Sequence, residues 1–320
     1  MSALKPQLAL GRSIAELRRS RGWSQPELAG MLGRPVAWLS QLERGLVQVG
    51  PISASEAVAR VPLPAEPDSH PLADAERAEQ AAALQLVLSG DGQQRRDRAG
   101  ILGAGSAAVS GAMATEVWAL TGARRYQDLA RLLGDLVPEL AAAVRAAPDH
   151  QLAGLYELMA VSYQACAAAL TKLGEHDSAL TAADRALTAA HRAGDPQVVA
   201  ASAYMLGCIL METRRCAQAR AITTAAADAL SGPAADGSVA AISLRGALTL
   251  LHALAAARAG DRAAAEEQLS RARVMAGRLA HDRRSRGTGF GPDHVALYEI
   301  AVSIETGAPL LAAGAAPAGR

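Results

Sequence analysis

The residues best equipped for chemistry are scattered. Histidines stand at 70, 150, 176, 191, 252, 281 and 294, and no HExxH pair sets two of them on one helical face for a metal. The cysteines at 166, 208 and 216 form no CxxC pair and lie in Ala-rich sequence, where they read as buried free thiols of a reducing compartment. Lysine occurs only at 5 and 172, neither in Gly-rich sequence, and GxxxxGK[ST] is absent, which excludes a P-loop ATPase. No G-x-S-x-G elbow occurs. "GILGAGSA" within 95–114 imitates a dinucleotide turn, but no strand precedes it and no βαβ unit surrounds it. These absences predict no catalytic residues, no metal and no cofactor, and so no enzyme.

One segment has the shape of a recognition device. "SQPELAGMLGRPVAWLSQLERG", residues 24–45, reads as two short helices around a tight turn, the form that reads DNA. Its second helix opens on Val36 and Ala37, which have no donor for a guanine or adenine edge and offer only contact with a thymine methyl. Gln41 keeps hydrogen-bonding reach toward adenine. Residues 1–60 hold eight basic residues against four acidic ones, although the whole chain has a net charge of only +1. That local excess suits a polyanion and equally suits an ordinary solvated surface.

Three helices must hold this segment in place. Leu10, Ile14 and Leu17 share one helical face, and Gly22 ends that helix. Ser24 and Glu27 fit a capping box for the next helix, with Pro26 tolerated in its first turn. Leu28, Ala29 and Leu32 form its buried side, and Gly33 gives the sharp turn. The third helix runs from about Pro35 to Arg44, burying Leu39 and Leu42, and Gly45 stops it. A further short helix is expected over 53–60.

Residues 17–45 resemble the Xre-type helix-turn-helix family, related to the phage repressors, and the likeness spans about residues 10–46. Leu17-Arg18, Ser24-Gln25, Leu28-Ala29, Gly33 and Leu42-Glu43-Arg44-Gly45 fall at the family's spacing. The resemblance implies that the helix at 35–44 enters the major groove of double-stranded DNA. It places Gln25 on a phosphate at its helix N-terminus, Val36, Ala37 and Gln41 at base edges, and Arg34 and Arg44 near flanking phosphates. Trp38 stands either to stack on the sugar-phosphate or to pack against protein. Arg18 and Glu43 occupy the positions of an ion pair that locks the first helix to the third. The chain departs from the pattern at 36 and 37, which usually carry polar groups, and after Gly45, where the module is shorter.

The remainder reads as helix. Half the residues are hydrophobic but only 3% are aromatic, so the core is built from Ala, Leu and Val. Alanine is the best helix former, and strand-spaced Val and Ile are rare, so the expected fold class is all-α. Prolines 62, 64, 67 and 71 mark a linker. The expected organisation is a helix-turn-helix module over 1–61, a linker over 62–74, a helical-repeat domain over 75–307 and a tail over 308–320. Helices are expected over 74–89, 105–121, 124–146, 151–173, 175–193, 196–213, 215–231, 238–259, 261–280 and 293–307.

"LGEHDSALTAADRAL" (173–187), "ETRRCAQARAITTAA" (212–226) and "AGDRAAAEEQLSRAR" (259–273) align on Ala179, Ala219 and Ala265, with a looser fourth unit over 112–146. Each carries a small residue seven positions on, at Ala186, Ala226 and Ala272. These repeats resemble longer tetratricopeptide repeats, and with "GFGPDHVALYEIAVSIETG" (289–307) the domain is similar in outline to the C-terminal regions of actinobacterial Xre regulators. That resemblance implies a superhelix that dimerises the protein and offers a face to a peptide, small-molecule or protein partner. Tyr156, Tyr163, Tyr204, Met211 and Arg245 are candidates for that face, with helix-packing core as the competing reading. The segment 281–292 reads as a loop that offers Arg283, Arg284 and Arg286 to an anion or to solvent.

MSALKPQLAL lacks the basic start and apolar run of a signal peptide, and no uninterrupted apolar stretch reaches the ~18 residues of a membrane span, so a cytoplasmic chain without a membrane partner is expected. The reading is a homodimeric DNA-binding transcriptional regulator with a sensing or dimerising repeat domain. The competing reading is a protein-interaction adaptor whose degenerate helix-turn-helix no longer reads bases.

Overall fold

The computed structural model describes residues 15, 18, 19, 24–31, 36–44, 74–89, 107–279, 283–285 and 288–306. The helix expected over 53–60, the linker prolines and the tail from 308 lie outside them. Among the described residues the fold is all-α apart from one small hairpin. The helices are α1 (Gln25–Met31), α2 (Val36–Glu43), α3 (Asp74–Ser89), α4 (Ala107–Gly122), α5 (Tyr126–Ala146) and α6 (Asp149–Leu173). They continue with α7 (His176–Ala193), α8 (Pro196–Glu212), α9 (Cys216–Ala229), α10 (Ser231–Ala235), α11 (Val239–Arg258) and α12 (Arg262–Ala276). Strands β1 (Arg283–Ser285) and β2 (Thr288–Phe290) follow, then α13 (Pro292–Thr306). The chain divides into two compact units, residues 69–248 and residues 1–68 together with 249–320.

A single turn geometry recurs along the helical repeat. The residue that closes the first helix of a pair adopts the left-handed conformation: Arg124 (φ 52°), Gly174 (φ 87°), Arg214 (φ 60°) and Gly260 (φ 77°). Its N–H donates three residues back, to the carbonyls of Thr121, Thr171, Met211 and Ala257. The next N–H donates five residues back, to Leu120, Leu170, Leu210 and Ala256. This Schellman arrangement satisfies carbonyls that a helix end leaves open and aims the chain into the second helix. Five residues beyond the left-handed position stand Leu129, Ala179, Ala219 and Ala265, each 0% exposed. The looser unit expected over 112–146 is the pair α4/α5, which carries this turn.

Within residues 69–248, burial follows the helical period. On α7 the buried side is Ala179, Ala182, Ala183, Ala186, Ala189 and Ala190. Each alanine removes little area from water, so cohesion comes from the close approach of backbones and many dispersion contacts. Asp195 caps α8 by accepting from the Gln197 N–H at 2.7 Å, with Pro196 in the first turn where no donor is needed.

Helix α3 packs on α5, α6 and α7. Gln85 donates to Glu175 and Ser178, both at 3.0 Å, and Arg185 donates to the terminal Leu88 carbonyl while lying over the Tyr163 ring. The Cys166 thiol faces the Leu84 carbonyl at 3.8 Å, and burial pushes its pKa up to about 12 against the pull of Arg185, so it is an inert packing group. Tyr204 and Met211 are buried in the core, so neither presents an open face. Tyr156 and Tyr163 are half-buried under Arg192 and Arg185 respectively.

In the other unit, α13 packs on α12 and β2. Two ion pairs fasten it: Arg258 to Glu305 at 3.0 Å, both nearly buried, and Arg273 to Glu299 at 2.6 Å. β1 and β2 pair antiparallel, with Arg283 opposite Phe290. Residues 283–285 and 288–290 are therefore strand where a loop was expected. Strands of three residues are too short to show a two-residue alternation. Phe290, the only phenylalanine in the chain, is 0% exposed and anchors the hairpin. A Cβ on Gly289 would lie 2.5 Å from Nε2 of His294, so a larger residue there would displace the imidazole.

By length and composition α11 could cross a membrane, with a mean hydropathy of 1.6, but 78% of that window is buried, as in a core helix.

Candidate nucleic-acid interface

The interface rests on three helical pieces. Ala15, Ala29 on α1 and Leu39 on α2 are 5%, 1% and 0% exposed, one buried apolar residue from each. α1 and α2 pack on each other. At the start of α1, Ser24 donates its N–H to Glu27 Oε2 at 2.6 Å, and Glu27 donates its N–H to Ser24 Oγ at 3.3 Å. This is the capping box that the sequence spells. The Ser24 N–H, and then its hydroxyl, hold the Glu27 carboxyl below its ordinary pKa.

Arg18 and Glu43 form the expected lock. Arg18 Nε donates to Glu43 Oε1 at 2.6 Å and Nη2 donates to Oε2 at 3.0 Å, a two-pronged pair whose side chains are only 11% and 5% exposed. Gln25 joins them, with Nε2 donating to Glu43 Oε2 at 2.9 Å. Burial is the largest influence on the Glu43 carboxyl and pushes its pKa up. The hydrogen bonds from Arg18 and Gln25, with the charges of Arg18 and Arg19, outweigh it and hold the pKa below the ordinary value.

One N–H of the Gln25 amide, expected at a phosphate, thus serves Glu43 within the protein. The adjacent donors are engaged too, since the Ser24 and Glu27 N–H groups serve the capping box and Pro26 has none. Sequence reasoning passed over this because the partner of a glutamine amide is decided by which helix packs beside it.

The outward side of α2 gathers the rest. Val36 is 42% exposed, and Ala37, Gln41 and Arg44 are exposed. Ser40 is half-exposed and lies between them at about 100° of turn per residue, a position the spacing 36, 40, 44 would have flagged. The Arg44 N–H donates to the Ser40 carbonyl at 3.2 Å, which carries the helical course one residue further. The backbone of Trp38 lies in α2; its side chain, and the whole of Arg34, fall outside the described residues. The face therefore presents two apolar contacts, a hydroxyl, an amide and a guanidinium, on a helix narrow enough for the major groove.

Comparison with known proteins agrees on the module. Residues 9–68 match a family described as a helix-turn-helix domain. No curated protein matches the chain. Among solved structures the chain is similar to PlcR of Bacillus thuringiensis, in complex with the peptide PapR7 and DNA. It is 15% identical over 85% of this chain and 95% of that one, with a TM-score of 0.34. A likeness this distant assigns no residue a role.

Proposed function

We propose that the chain is a cytoplasmic, Xre-type transcriptional regulator without enzymatic activity. Two copies would set α2 into successive major-groove faces of double-stranded DNA, with half-sites about one helical turn apart. The tetratricopeptide-like helical pairs would carry dimerisation and take up a peptide, small-molecule or protein partner. The observation that supports this reading is the outward face of α2: Val36, Ala37, Gln41 and Arg44 all exposed, with Leu39 buried behind them. Val36 and Ala37 would meet thymine methyls, Gln41 an adenine edge and Arg44 a phosphate.

A gel shift against DNA from upstream of the chain's own gene tests this. Binding is expected at about 50 mM salt with loss by about 200 mM. Gln41→Ala should lower affinity for the preferred site about tenfold with an unchanged helical circular-dichroism spectrum. No shift at low salt with any promoter fragment overturns the proposal.

The adaptor reading draws on one observation. The Gln25 amide is engaged by Glu43, and the two leading positions of the reading face are apolar. Unchanged behaviour of Gln41→Ala and Arg44→Ala would favour it.

A further inference from the structure

Ser40 stands in the middle of the outward face of α2. At about 100° of turn and 1.5 Å of rise per residue, Val36, Ala37, Ser40, Gln41 and Arg44 cover an arc of about 140° and a length of about 12 Å. Ser40 lies halfway along that length, with Val36 one turn before it and Arg44 one turn after it. Its four companions are exposed, Ser40 is half-buried, and Leu39 is closed off behind.

The Ser40 hydroxyl is uncommitted. A serine or threonine inside a helix can turn its oxygen back onto the carbonyl four residues earlier. Thr115, Thr121, Ser162 and Thr171 do so, donating to the carbonyls of Gly111, Val117, Leu158 and Ala167 at 2.7–2.9 Å. Ser40 Oγ makes no such bond to the Val36 carbonyl and has no other partner among the described residues. Nor does it belong to the lock that holds α2, which Arg18, Gln25 and Glu43 make. The side chains just before it set how deep α2 can sit in a groove. Val36 and Ala37 are short, so the first turn can approach base edges that a long side chain there would hold away. A serine hydroxyl, one bond beyond Cβ, reaches a base only from a helix seated that deep.

We infer that Ser40 is a specificity-determining residue, whose hydroxyl bonds to the base edge at a central position of each half-site. The inference rests on the proposed reading of DNA by α2 and adds a residue to that site. Base pairs stack about 3.4 Å apart, so a face of about 12 Å covers three to four of them, and Ser40 meets a pair between those met by the ends of the face. The hydroxyl both donates and accepts, so it can serve thymine O4, a purine N7 or an exocyclic amine.

Selection from a duplex library randomised over the half-site, at about 50 mM salt, tests this. Alanine is the best helix former, so Ser40→Ala should keep the circular dichroism and melting temperature of the wild type. It should bind the preferred site about three- to tenfold more weakly and accept all four base pairs alike at one central position, with the other preferences intact. Ser40→Thr keeps the hydroxyl and should keep the preference. A Ser40→Ala chain that retains every wild-type preference overturns the inference, because the hydroxyl then stays in water. One that weakens all sequences alike also overturns it, because the contact is then to phosphate. In both cases a Gln41→Ala chain that loses its own base preference leaves DNA reading by α2 standing. A wild type that selects no duplex overturns both.

Discussion

Glu43 accepts hydrogen bonds from Arg18 and Gln25 in a part-buried site, so its charge state bears on how firmly the module holds together. Its pKa is lower folded than unfolded. A depressed carboxyl pKa contributes stability that is full above the unfolded value of about 4.3 and is lost as pH falls through the folded value. The module should therefore weaken below about pH 4. Urea unfolding of a Trp118→Phe chain, in which only Trp23 and Trp38 fluoresce, would show a midpoint that drops between pH 6 and pH 3. Glu43→Gln leaves the part-buried Arg18 guanidinium against a neutral amide, so it should cost about 1–2 kcal/mol at pH 7 and flatten the acid dependence. A wild-type midpoint independent of pH would refute this. The resemblance pointed to this pair because the two residue types stand 25 apart at the family's spacing. It placed Gln25 on a phosphate and did not show the bond from its amide to Glu43, because a single sequence does not display which carboxylate an amide reaches once α1 and α2 pack.

At the scale of elements, helix ends were legible where glycine marks them and obscure where another residue takes the same conformation. Gly174 and Gly260 announce their turns, while Arg124 and Arg214 do the same job under the cost an L-residue meets at positive φ. Arg214→Gly should therefore stabilise the chain by about 0.5–1 kcal/mol, the relief of backbone strain less the extra freedom of glycine when unfolded. Gly174→Ala should destabilise by about 1 kcal/mol; no neighbour lies within 4 Å of a Cβ there, so the penalty is conformational rather than steric. Melting temperatures of the two variants should move in opposite directions, and a fall in both would refute the argument. The ten long helices were readable from alternating apolar faces and their punctuation. α10 and the hairpin were not, because five- and three-residue elements carry too few side chains to display a period and depend on contacts such as Phe290 in the core.

For the whole molecule the charge distribution decides how DNA is approached. The chain's net charge of +1 supplies almost no long-range attraction, whereas residues 1–60 carry twice as many basic as acidic residues. Attraction to phosphate must then come from the module, and pairing of two copies should double it without new contacts. Arg44 is exposed beside the reading face and is the described cation best placed to displace a counterion. In a plot of log affinity against log salt, Arg44→Ala in both copies should reduce the slope by about 2 while weakening all sequences alike. Gln41→Ala should leave the slope unchanged and weaken only the preferred site, because an amide at a base edge releases no counterion. A monomeric variant of the chain should show half the wild-type slope and bind a double site no better than a single one. If the slope is indifferent to Arg44 and to pairing, attraction does not run through α2, and the helix-turn-helix serves protein contacts instead.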